Sequence, residues 1–260
     1  MLPDMVPIVW ELPRSDIRIY PVYDLHIGAA ECMVDEWEAF LAQVAKEDDA
    51  RLIIGGDMLN NGIKSSATNV YEETMRPREQ KQKLTEYLKT VADKILCGVC
   101  GNHEYRSCKE TDDDPLYDVF CKLDIEDKYR QNGAFVKLRF GDKAADGLKN
   151  PTYMLAALHG AGGGMYIGSS ANRGERFGAV IDGLDCLITG HTHKPLTFPV
   201  AKLVFDSRNE RVTQKDFRVI AATSWMRYGG YGMRRMMLPT AHKVSVLTLC
   251  GTAKRMTVTM

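Results

Sequence analysis

Five times along this chain an apolar run of strand length stops at a short polar turn carrying aspartate, asparagine or histidine. The segments are IRIYPVYDLHIG, RLIIGGD, KILCGVCGNHE, PTYMLAALHG and CLITGHTH. Between the first three lie two stretches of helical spacing, Val34, Trp37, Phe40, Leu41 and Val44, then Leu84, Tyr87, Leu88, Val91 and Ile95. Apolar residues recurring at such intervals predict amphipathic helices. A β-α-β-α-β order favours parallel strands joined by right-handed crossovers. Parallel strands bring their carboxyl ends to one edge, where open α/β sheets bind ligands, so the polar turns are expected to meet.

The second half is richer in strands. AFVKLRF precedes PTYMLAALHG, a helix is predicted over residues 172–181 before CLITGHTH, LVFDSRNERV is a candidate hairpin, and KVSVLTLCGTAKRMTVTM reads as a closing pair of strands. These patterns predict an α/β fold, a four-layer α/β/β/α sandwich of two mixed β-sheets flanked by helices. No proline-rich, glycine/serine or charged linker divides the 260 residues, so residues 1–260 are expected to form a single domain.

Composition narrows the function classes. The 34 basic and 34 acidic residues balance, which argues against a strong general affinity for nucleic acid or membrane surfaces. No apolar run approaches the ~20 residues needed to span a bilayer. The opening MLPDMVPIVWELPRSD lacks the pattern of a secretory signal, so a cytoplasmic location is expected. Seven cysteines in that setting are expected to be reduced thiols. Cys97 and Cys100 form a CxxC, but three residues apart on a strand they should point to opposite faces and hold no shared metal.

The strand-end turns carry Asp24, His26, Asp57, Asn102, His103, His159, His191 and His193, among them five of the six histidines. Carboxylate, amide and imidazole donors suit manganese, iron or zinc rather than calcium, which takes oxygen alone. Seven potential ligands, leaving His103 aside, exceed what one such ion requires. Two ions about 3.5–4 Å apart, sharing a carboxylate, would use them all and would suit in-line displacement at phosphorus.

DLH at 24–26, GGD at 55–57, GNHE at 101–104, HG at 159–160 and GHTH at 190–193 resemble, in order and spread, the calcineurin-like metallophosphoesterase family. The resemblance implies that Asp24, His26 and His193 hold one metal, that Asn102, His159 and His191 hold the other, and that Asp57 bridges them. It places His103 beside the scissile phosphate as a catalytic residue, and Asp57 with it. It also implies two divalent cofactors, manganese first with iron, zinc or nickel as alternatives, and direct attack by a metal-bridging hydroxide. Glu104 could orient His103 or simply face solvent. Gly56, Gly101 and Gly190 precede ligands at sharp strand exits, where positive φ would help the chain turn.

Substrate choice must come from the loops. DLHIG is closer to the exonuclease and lipid-pyrophosphatase branches than to the protein-phosphatase branch, whose GDxVDRG signature is absent. A lipid pyrophosphatase would need an apolar lid between GNHE and HG, yet that insertion begins with the acidic KETDDDP. The stretch from Trp225 interleaves Arg227, Tyr228, Tyr231, Arg234 and Arg235, the mixture of cations and rings that grips single-stranded nucleic acid. The same residues could instead be a solvated loop, and Arg173 and Arg176 offer the same choice between phosphate and solvent. The expectation is a phosphodiesterase acting on nucleic acid or nucleotides, with no membrane and no identifiable protein partner. The alternatives are a phosphomonoesterase for small phosphoesters and, in another class, a metal-free scaffold of the same fold.

Overall fold

The computed structural model describes residues 2–66, 70–141, 150–164 and 166–260. Its strands are β1 (Ile8–Leu12), β2 (Ile17–Val22), β3 (Ala50–Ile54), β4 (Ile95–Val99), β5 (Tyr129–Arg130), β6 (Ala134–Phe140), β7 (Thr152–Ala157), β8 (Cys186–Thr189), β9 (Leu196–Asp206), β10 (Arg211–Ala221), β11 (Val246–Leu249) and β12 (Met256–Thr259). The helices are α1 (Val34–Lys46), α2 (Pro77–Lys89), α3 (Asn102–Thr111), α4 (Pro115–Lys122), α5 (Ile167–Ala179) and α6 (Gly230–Arg234).

The strands form two six-stranded mixed sheets, ordered β1-β6-β7-β8-β10-β9 and β12-β11-β2-β3-β4-β5. Both are mixed for a simple reason of connection length. β2, β3 and β4 run parallel because helices α1 and α2 carry the chain back between them, whereas β9 and β10 are joined by a tight hairpin and so run antiparallel. Alternation sorts the side chains into layers. Ile17 and Ile19 of β2, Val136 and Leu138 of β6, and Leu155 of β7 fill the space between the sheets. Tyr20 and Val22, from the other face of β2, join Trp37, Leu41 and Val44 of α1, Leu84 and Leu88 of α2, and Val119 and Phe120 of α4. Helix α5 covers the outer face of the other sheet against Phe217 and Val219. The arrangement is the expected α/β/β/α sandwich.

Several boundaries differ from the sequence reading. Helix α2 stops at Lys89, and Ile95 opens β4 instead of extending the helix. The α5 helix begins at Ile167, five residues before the predicted start, because its inward residues Ser170, Gly174 and Gly178 are small rather than apolar. GNHE does not end in a turn: Asn102 is the first residue of α3. Cys97 lies in the inter-sheet core and Cys100 in the helix-side core, on opposite faces as expected, and all seven cysteines are free thiols. Among the described residues no helix is long and apolar enough to cross a membrane.

Candidate metal centre

The turns after β2, β3, β4, β7 and β8 converge at one edge of the sandwich, drawn from both sheets. Backbone bonds tie them together beyond the strands. Asp24 N donates to Gly56 O at 3.1 Å, His26 N to Asp57 O at 2.9 Å, Gly190 N to His159 O at 2.9 Å and Trp225 N to Asp24 O at 3.0 Å. The last of these joins one sheet to the other, as does Tyr23, whose hydroxyl donates to Ile188 O at 3.2 Å. Five residues of the constellation, Asp24, His26, Asp57, His191 and His193, have φ between 50° and 66°. Left-handed backbone costs a non-glycine residue energy and collects at functional sites, where surrounding bonds hold it in place. Of the three glycines expected to relieve such turns, Gly56 alone has positive φ, at 87°. Gly101 and Gly190 are needed for space instead: a Cβ on Gly101 would lie 2.1 Å from Asp57 N, and one on Gly190 would lie 2.3 Å from the Tyr23 ring.

The donor atoms form two groups sharing one carboxylate. His193 Nε2 lies 3.4 Å from Asp24 Oδ1 and 3.3 Å from His26 Nε2. His159 Nε2 lies 3.0 Å from Asn102 Oδ1, 3.2 Å from His191 Nδ1 and 3.3 Å from Asp57 Oδ2. Asp57 Oδ2 is also 3.9 Å from His26 Nε2, so it stands between the two groups. Donors each ~2.0–2.2 Å from one ion must lie about 3.0–3.5 Å from each other, which most of these separations satisfy. Asp24 Oδ1 is buried with no hydrogen-bond partner, the condition expected of an atom reserved for a cation. The residues therefore fit a pair of metal ions.

Electrostatics without a cation point the same way. Burial opposes ionisation of Asp57, but the His159 and His103 rings outweigh it and hold the carboxyl well below its usual range. Burial likewise disfavours the charged His159 ring, yet Asp57 and Asp24 raise it to about 10. His26 is held well below its ordinary value by burial and by His103, and burial also lowers His103 and His191.

Supporting contacts fix the rings. His159 Nδ1 donates to Gly55 O at 2.9 Å and His103 Nδ1 to Asn60 O at 2.8 Å, leaving both Nε2 atoms toward the centre. His103 Nε2 is 3.8 Å from Asp57 Oδ2, and His103 N donates to Asp57 Oδ1 at 2.7 Å. His191 N similarly donates to Asp24 Oδ2 at 2.7 Å.

Glu104 neither faces solvent nor touches the His103 ring. It is fully buried and clamps three backbone donors, Asp57 N at 2.9 Å, Gly101 N at 3.1 Å and Leu59 N at 3.0 Å. Burial and the nearby Asp57 charge push its carboxyl up to about 7. Because glutamine supplies one accepting oxygen where three N–H groups converge, Glu104→Gln is expected to cost about 1–3 kcal/mol. Thermal unfolding should report a lowered midpoint, and an unchanged one would remove the clamp from the explanation. Asn60, Asn61 and Gln80 also escaped the sequence reading. Asn61 Nδ2 donates to His103 O at 2.7 Å, and Asn61 N to Gln80 Oε1 at 2.8 Å. The doublet after GGDML was the only visible signal of the two asparagines, and Gln80 had none.

The aromatic and basic strip starts beside the centre, through the bond from Trp225 N to Asp24 O. Its arginines are paired: Arg227 Nη2 lies 2.8 Å from Glu36 Oε2, and Arg234 Nη2 lies 2.9 Å from Glu72 Oε2. Tyr228 donates to Met237 O at 2.8 Å, and Tyr231 lies under the Arg235 guanidinium at 5.5 Å.

A family model described as calcineurin-like phosphoesterase matches residues 23–195. The chain belongs to the calcineurin-like phosphoesterase family. The family it belongs to is one of phosphoesterases. A search of curated proteins finds no match. Among solved structures, one titled as NAD nucleotidase (NadN) of Haemophilus influenzae is similar at a TM-score of 0.42 and 9% identity, over 94% of this chain and 49% of that one. The chain therefore spans about half the length of that structure's chain.

Proposed function

We propose that the chain hydrolyses phosphodiesters, with nucleotides or single-stranded nucleic acid as the substrate class. The observation that carries this reading is the charge around the centre. Among the described residues, the hydrogen bonds and ion pairs of the seven ligand side chains include no lysine or arginine. Arg106, one helical turn beyond His103, donates from Nη1 to Asn60 O at 3.4 Å and to Ser66 Oγ at 3.1 Å. A monoester brings two negative charges and a diester one, so ligand side chains with no lysine or arginine among their direct partners are better matched to the diester.

In this reading Asp24, His26 and His193 hold one ion, Asn102, His159 and His191 hold the second, and Asp57 is shared. Two divalent cations, manganese first with iron, zinc or nickel as alternatives, supply Lewis acidity toward the phosphate and activate water when bound. The chain's own contribution is positional. The Asn60 carbonyl holds the His103 Nδ1 proton and leaves Nε2 facing the centre, so the neutral ring would accept a hydrogen bond there and only the doubly protonated ring would carry a proton for the departing oxygen. For a polynucleotide, Arg227 and Arg234 would exchange Glu36 and Glu72 for phosphates, at low cost because exposed ion pairs contribute only ~0–1 kcal/mol.

The test is a comparison of bis-p-nitrophenyl phosphate with p-nitrophenyl phosphate, using metal-stripped protein reloaded with Mn²⁺. Faster turnover of the diester is expected. Cleavage of the monoester alone would overturn the diester assignment and leave a phosphomonoesterase.

A further inference from the structure

A cavity of about 670 Å³ opens beside the His159 half of the centre, with Asn102 and His159 in its wall. Its size falls within the ~300–1,000 Å³ common for small-molecule sites. Helix α5 forms the opposite wall. Gly174 and Gly178 seat it closely on β10, since a Cβ there would meet Val219 Cγ1 at 2.5 Å and Phe217 Cε2 at 2.2 Å respectively. Arg173, Arg176, Phe177 and Val180, spaced i, i+3, i+4 and i+7, line the cavity.

Three features say what the cavity would hold. Phe177 and Tyr105 are 44% and 49% exposed, so each leaves an aromatic surface open in a cavity that ends at the metal ligands. Gln131 and Asn132 add amide edges that can both donate and accept. Arg173 donates to Ala161 O, while Arg176, also on the wall, has no carboxylate partner among the described residues. Flat rings, amides and a cation are the groups that bind a base, its hydrogen-bonding edge and an added phosphate.

We propose that this cavity is the specificity subsite and that it takes a nucleoside attached to the scissile phosphate. The proposal rests on the diester reading above and adds where the organic substituent lies and which residues select it. The arginines and tyrosines after Trp225, next to Asp24, are not part of this subsite.

Two substrates with the same reporter group separate the outcomes: the p-nitrophenyl ester of thymidine 5′-phosphate and methyl p-nitrophenyl phosphate, each with the Mn²⁺-loaded full chain. The native protein should prefer the nucleoside ester in kcat/KM. Phe177→Ala and Arg176→Ala should each reduce that preference ratio, by about tenfold or more for the ring, the scale of one lost base stack. Equal cleavage of the two esters by the native protein, or an unaltered ratio in both variants, would overturn the subsite while leaving the diester reading intact. Failure to cleave either diester, with p-nitrophenyl phosphate still hydrolysed, would overturn both.

Discussion

Asp57→Asn should lower kcat by about 10³-fold or more while leaving the fold largely in place. The two carboxylate oxygens have different tasks, and the substitution separates them. Oδ1 accepts the His103 backbone N–H at 2.7 Å, a bond that the asparagine oxygen can keep. The amide nitrogen must then take the place of Oδ2, the atom 3.3 Å from His159 Nε2 and 3.9 Å from His26 Nε2. There a donor replaces an anionic acceptor between the two groups of ligands. Steady-state hydrolysis with Mn²⁺, run beside a thermal melt, checks both halves. Retained turnover would sink the shared-ligand role, and a collapsed melt would show that Asp57 serves folding first.

Gly56→Ala is expected to destabilise the protein by about 3–4 kcal/mol, combining backbone strain with overpacking. Gly56 has φ of 87°, a conformation that alanine rarely adopts, and its added Cβ would lie 2.3 Å from Gly101 N and 2.6 Å from Gly101 Cα. These are backbone atoms with no flexible end to move aside. Relief requires the turn after β3 to part from the turn after β4, which separates Asp57 from Asn102. A fall of about 10 °C in Tm is therefore anticipated for a chain of this size, with loss of activity alongside it. A variant melting like the parent would mean that the two turns are not packed as described.

The convergence of these side chains was legible in the sequence because each candidate ligand follows an apolar strand, and parallel strands bring their carboxyl ends to one edge. Helices α1 and α2 were legible because their buried faces are apolar, whereas α5, which buries Ser170, Gly174 and Gly178, was read only from residue 172. Leu84 and Leu88 announce α2, but α3 buries Glu104 and Ser107 and shows no hydrophobic period. Its inward face is polar because Glu104 serves the backbone of neighbouring turns, and no pattern in one segment reveals a partner 47 residues away. The same limit applies to Arg227 and Arg234, whose neutralising partners, Glu36 and Glu72, are 191 and 162 residues distant. The cavity beside α5 was invisible for a related reason. It arises where a helix seated by glycines leaves its arginine and phenylalanine face uncovered, and that depends on the depth of packing rather than on composition.

Equilibrium dialysis of the metal-stripped chain against Mn²⁺, followed by elemental counting of metal per protein, tests the dinuclear centre most directly. Two ions per native chain are expected, with fewer retained by Asp57→Asn. A native chain that leaves dialysis with no bound metal would contradict the centre itself.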